Sequence, residues 1–68
     1  MKIFAERLVE LRKERHLSQK ELAKAIGSSS STVAFWELDQ FEPTAPYLVK
    51  VADVFGVSVD YLLGRVDF

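Results

Sequence analysis

Residues 19–37, "QKELAKAIGSSSSTVAFWE", decide how this chain folds. Leu22, Ala23 and Ile26 recur at helical spacing, and Ser18 with Glu21 three positions later fits a capping box, so a helix starts after Ser18. Gly27 stops it, because glycine best tolerates the left-handed conformation that comes after a helix end. Ser28 or Ser29 is a natural N-cap for a second helix running through Val33 and Trp36. Counting from Gln19, a small residue (Ala23) comes four later, a glycine (Gly27) eight later, and apolar residues (Val33, Trp36) fourteen and seventeen later. The small residue lets two helices approach, the glycine makes a sharp turn, and the two apolar side chains seat the second helix on a core. This spacing predicts a helix-turn-helix over about residues 19–38.

Outward from that unit the chain reads as helices, without strand alternation. From Lys2 to about Arg15, Phe4, Leu8 and Leu11 form one apolar stripe among charged residues. Pro43 cannot continue the helix before it, and Thr44 is read as the cap of a fourth helix, with Pro46 tolerated in its first turn. That helix is expected to bury Leu48, Val51, Ala52 and Phe55 before Gly56 ends it. Ser58 caps a short fifth helix over Val59 to Leu63, closed by Gly64. With no repeats and no low-complexity linker, residues 1–68 are read as a single all-α, five-helix domain.

Composition sets what this domain cannot be. Its 68 residues are near the low end for a self-sufficient core, and a 49% hydrophobic fraction supplies the apolar material. No cysteine is present and only one histidine, His16, read as solvated; a thiolate or zinc ligand cluster is therefore excluded, and no metal or cofactor is expected. No apolar run reaches the roughly 18 residues of a membrane span and no secretory signal pattern opens the chain, so a cytoplasmic protein is expected. Nothing pairs a nucleophile with an oriented base at a recognisable spacing, which argues against an enzyme. The net charge of -1 hides an asymmetry: seven of the nine Lys and Arg residues lie in the first 24 positions and none between 25 and 49, where Glu37, Asp39 and Glu42 stand. Many of the early cations are matched by Glu6, Glu10, Glu14 and Glu21 at helical pairing distance, as on a solvated face.

The segments "ERLVELRKERHLSQKELAKAIG", "STVAFWE", "EP" and "LVKVADVFGVSVDYLLGR" agree in order and spacing with one family, and over nearly the whole chain the sequence resembles the phage-repressor and Cro (XRE-type) helix-turn-helix domains. The resemblance implies a compact repressor-like fold and binding to double-stranded DNA, with the third helix presented to the major groove and two copies on a two-fold operator. It implies that Gln19 holds the DNA backbone or reaches a base edge. Carried over likewise, Ser28, Ser29, Ser30, Ser31 and Thr32 approach phosphates, and Ser30, Ser31, Ala34 and Phe35 approach base edges. Arg12 and Glu37 match a pair that joins the first and third helices, and both types suit a bidentate, partly buried ion pair.

The reading positions depart from the family pattern. Gln, Arg, Lys or Asn are usual there because they match base-edge donors and acceptors in pairs, whereas serine, alanine and phenylalanine discriminate poorly. The loop after the third helix, usually polar and basic, holds Leu38, Asp39, Gln40, Phe41 and Glu42, two of which repel phosphates. Trp36 is assigned to the core, and Phe35, one residue away, points elsewhere. Val9, Phe35, Leu38 and Phe41 can together form one exposed apolar patch across the first and third helices. This supports an alternative: the same scaffold, by nature or by engineering, uses that patch for a protein partner or homodimer, with DNA binding weakened or lost. Against it, the loop can fold Leu38 and Phe41 back onto the core. The serine run can also hold a phosphate or sulfate on its free amides, although such serines are more often simple caps.

Overall fold

A hydroxyl and a carboxylate organise the second helix from its first residue. In the computed structural model, which describes residues 1–68, Ser18 Oγ accepts the Glu21 amide at 3.0 Å while Glu21 Oε1 accepts the Ser18 amide at 2.9 Å. That box opens α2 (Gln19–Ile26), which comes after α1 (Lys2–Glu14) and precedes α3 (Ser30–Glu37), α4 (Ala45–Phe55) and α5 (Val59–Leu62). Ser29 rather than Ser28 caps α3, and Ser58 caps α5, each accepting the amide three residues on. Thr44 occupies the N-cap position of α4 but makes no side-chain cap bond; Pro46 in the first turn presets the backbone there instead. Gly27 and Gly56 end α2 and α4 with φ of 72° and 65°, in the left-handed region where a side chain is strained.

The helices enclose one core. Phe4, Leu8 and Leu11 of α1 meet Leu22, Ala23 and Ile26 of α2, Val33 and Trp36 of α3, Val51, Ala52 and Phe55 of α4, and Leu62 of α5. Trp36 anchors the centre: Phe4 meets it edge-on at 6.1 Å between ring centroids, and Tyr47 lies against it at 5.5 Å. Leu48, expected in the core, is only half-buried and packs at its margin, whereas Pro43 is buried. Arg15 donates to the Phe55 carbonyl at 2.9 Å, supplying one of the acceptors left open at the end of α4 with a partner from the end of α1. α3 therefore lies across α2 and α1, while α4 and α5 close the other side. No helix is long and apolar enough to cross a membrane.

Candidate nucleic-acid interface

The turn between α2 and α3 holds the front of α3 away from the core. Gly27 and Ser28 donate their amides back to the end of α2, Ser28 to the Ala23 carbonyl at 2.8 Å, so neither amide is open to a ligand. Ser29 spends its hydroxyl on the Thr32 amide (3.2 Å) and on the Thr32 hydroxyl (2.9 Å). The outward side of this turn is short and polar: Ser30 and Ser31 are exposed, Ser28, Thr32 and Ala34 half-buried, and Phe35 is at the margin of exposure. The amides of Ser30 and Ser31 precede the first intrahelical hydrogen bond, so this end carries the positive pole of the helix. A flexible or bulky side chain would keep a rigid surface at a distance; serine and alanine let one come close to the backbone.

Behind that front, three residues from three elements form a fixed polar cluster. Arg12 Nε donates to Glu37 Oε2 at 2.7 Å and Arg12 Nη2 to Glu37 Oε1 at 2.9 Å, a fork in which both partners are largely buried. Its third nitrogen donates to the Leu17 carbonyl at 2.9 Å. Hydrogen bonding to Glu37 raises the Arg12 pKa above its ordinary value, so the guanidinium is charged at any working pH. Gln19 Nε2 donates to Glu37 Oε1 at 3.0 Å, which ties the first residue of α2 to the last of α3. Gln19, read from the sequence as a reader, is thus held by a carboxylate 18 residues away; one amide hydrogen and the amide oxygen stay free for another partner.

Two residues near the turn escaped the sequence reading. Tyr47 donates its hydroxyl to the Gly27 carbonyl at 3.4 Å, and Lys50 places its ammonium 5.3 Å from the centre of the Tyr47 ring. A cation therefore reaches the neighbourhood of the turn from α4, although none occurs in sequence between residues 25 and 49. The available signal was the spacing of three between Tyr47 and Lys50, which shares one helix face.

At the other end of α3 the surface changes character. Phe35 packs edge-on against Phe41 with centroids 5.1 Å apart, and Leu38 and Phe41 are 64% and 62% exposed, so the loop does not fold them back onto the core. Val9 is half-buried beside Leu38 in a groove between α1 and α3. Asp39 adopts φ 58°, a conformation aspartate tolerates better than most residues, and its carboxylate accepts the Met1 α-ammonium at 2.8 Å, with Glu42 at 3.8 Å. The hydrogen bond to Asp39 raises the pKa of that amine above its ordinary value. Both loop carboxylates thus face a cation, which moderates the repulsion expected of them.

Comparison with known proteins places this geometry. The family model described as helix-turn-helix matches residues 8–62. The chain is 37% identical over 65 residues to YobD, an uncharacterised HTH-type transcriptional regulator of Bacillus subtilis (strain 168), covering 96% of this chain and 58% of that protein. It is 40% identical over 60 residues to the cryptic phage CTXphi transcriptional repressor RstR of Vibrio cholerae, covering 88% and 54%. Among solved structures, the P22 c2 repressor in complex with a synthetic operator superposes with a TM-score of 0.84 at 30% identity, over 87% of this chain and 89% of that one. The chain spans about half the length of the curated relatives it matches.

Proposed function

This chain belongs to the helix-turn-helix family of phage-repressor type, and on that footing we propose that it is the DNA-binding part of a transcription regulator acting in the cytoplasm. The front of α3 enters the major groove, and two copies bind the halves of a two-fold site. Gln19, Ser28, Ser29, Ser31 and Thr32 face the backbone, with Lys50 as an added phosphate partner beside the turn. Ser30, Ser31, Ala34 and Phe35 face base edges. Serine bonds either base type, and Ala34 and Phe35 suit thymine methyls, so the preference is for thymine-bearing steps and is shallow.

The observation that carries this reading is the pairing of an exposed, unencumbered α3 front with a rigid mount: the front offers Ser30 and Ser31 while Arg12, Glu37 and Gln19 hold the helix against its neighbours. The test is a titration with mixed duplex DNA at low salt, where binding is expected and should weaken steeply as salt is added. Ser31→Glu should abolish it without loss of fold, since an acid in the first turn of a helix favours the helix while repelling phosphate. Absence of binding at low salt, or binding untouched by that substitution, would overturn the proposal.

A further inference from the structure

The groove between α1 and the C-terminal end of α3 encloses about 440 Å³ and has no role in the proposed contact with DNA. Its floor is apolar, made by Ala5, Val9 and the exposed Leu38, and the paired Phe35 and Phe41 rings come three residues before and three after Leu38 in the chain. Its walls are acidic. Glu6 and Glu10 stand four residues apart on α1, where like charges repel, and neither has a basic partner within 4.0 Å. Asp39 stands at the mouth with its carboxylate already paired to the Met1 ammonium at 2.8 Å, and Lys2 is the one basic side chain of the lining. Glu37 also borders the groove, but its charge is already matched by Arg12, and Gln19 donates a hydrogen bond to it.

From this arrangement we propose that the groove docks a segment of a partner protein that carries an apolar anchor flanked by lysine or arginine. The anchor seats on Val9 and Leu38, and the flanking cations face Glu6 and Glu10. Charge complementarity selects this occupant. A phosphate backbone is repelled by the same two carboxylates. A second copy meeting this surface about a two-fold axis brings one acid-rich patch against another with only Lys2 of each to offset it, because such a contact joins identical patches. The groove lies at the opposite end of α3 from Ser30 and Ser31, so its use leaves the DNA-facing front free; the two proposals stand or fall separately.

The test uses the full chain and two capped hexapeptides, KKLLKK and KKSSKK, followed through backbone amide chemical shifts. KKLLKK should give saturable shifts centred on Ala5, Glu6, Val9 and Leu38, and KKSSKK should bind about tenfold more weakly, the size of losing one buried anchor. Glu6→Lys with Glu10→Lys should remove KKLLKK binding, and Leu38→Ser should reduce it to the level of KKSSKK. All three positions are at the surface, and an unchanged melting curve verifies the fold. Shifts spread equally over Glu14, Asp53 and Asp60, no saturable shift, or equal binding by the variants would overturn the proposal. So would sedimentation showing a dimer that Leu38→Ser dissociates, since the groove would then belong to a second copy.

Discussion

The two ends of α3, a helix of only eight residues, are built from opposite chemistry. At the start, small hydroxyl side chains are used up in capping or left exposed, no carboxylate occurs, and the preceding turn is a glycine in the left-handed region. At the end, Glu37 is buried under three hydrogen bonds, and the loop beyond it is apolar and acidic, with Asp39 taking the left-handed conformation. The difference shows how one short helix can present a surface without moving: its rear is fixed by charge, so its front needs no bulky side chains for support. Packing alone is not enough for this. Only Val33 and Trp36 of α3 are fully buried, and the Glu37 cluster adds a directional restraint to those two anchors.

The sharpest way to break this contrast is to remove the rear anchor. Arg12→Ala leaves the buried Glu37 carboxylate without its cation and should cost about 3 kcal/mol in urea unfolding, well beyond a surface ion pair. Replacing both Arg12 and Glu37 by leucine should cost less than Arg12→Ala alone; a cost under about 1 kcal/mol for the single change would mean the pair acts as an exposed one. The turns come next. Gly27→Ala meets no atom within 4 Å, so its cost is conformational alone, about 1 to 2 kcal/mol from the left-handed backbone. A smaller change is expected at the cap, where Ser29→Ala should lower stability by about 1 kcal/mol and leave α2 untouched.

The smallest effect separates the two caps by pH. Hydrogen bonds from Ser18, the backbone amide foremost, hold the Glu21 pKa below its ordinary 4.5. Because the folded value is the lower one, the box contributes fully above about pH 4.5, and this contribution declines as pH falls through the depressed folded value. Ser29 caps α3 with Thr32 at the matching position and has no carboxylate to titrate. Glu21→Gln should therefore flatten part of the acid limb of the stability profile, while Ser29→Ala shifts the whole profile down; identical profiles for the two variants would contradict this assignment.

Much of the fold was legible because its signals are local. The glycine stops, the box at Ser18 and the stripe of Phe4, Leu8 and Leu11 each depend on residues within a turn or two, and all five helices lie where those signals put them, to within a residue or so at the ends. Thr44 holds the N-cap position of α4 as read, but its hydroxyl makes no cap bond. Leu48 stayed half-buried because helical periodicity gives a side of the helix and not the depth at which a neighbour covers it. At the candidate site, the exposure of Ser30, Ser31, Phe35, Leu38 and Phe41 agrees with their unusual residue types. The spacing of Tyr47 and Lys50 put them on one helix face, but their place beside the turn depends on how α4 crosses it.

The sequence by itself determined where helices begin and end, which side chains form the core, and the family to which the chain belongs. Each of these rests on hydrogen bonds and periodicity encoded over a few neighbouring positions. Only the tertiary structure decided that Gln19 is tied to Glu37 across 18 residues, that Met1 faces Asp39 across 38, and that Glu6 and Glu10 border a groove with Leu38. Side-chain geometry of that kind depends on how separate helices pack, and the spacing of residues along one helix carries no information about the charge that another helix will place beside it.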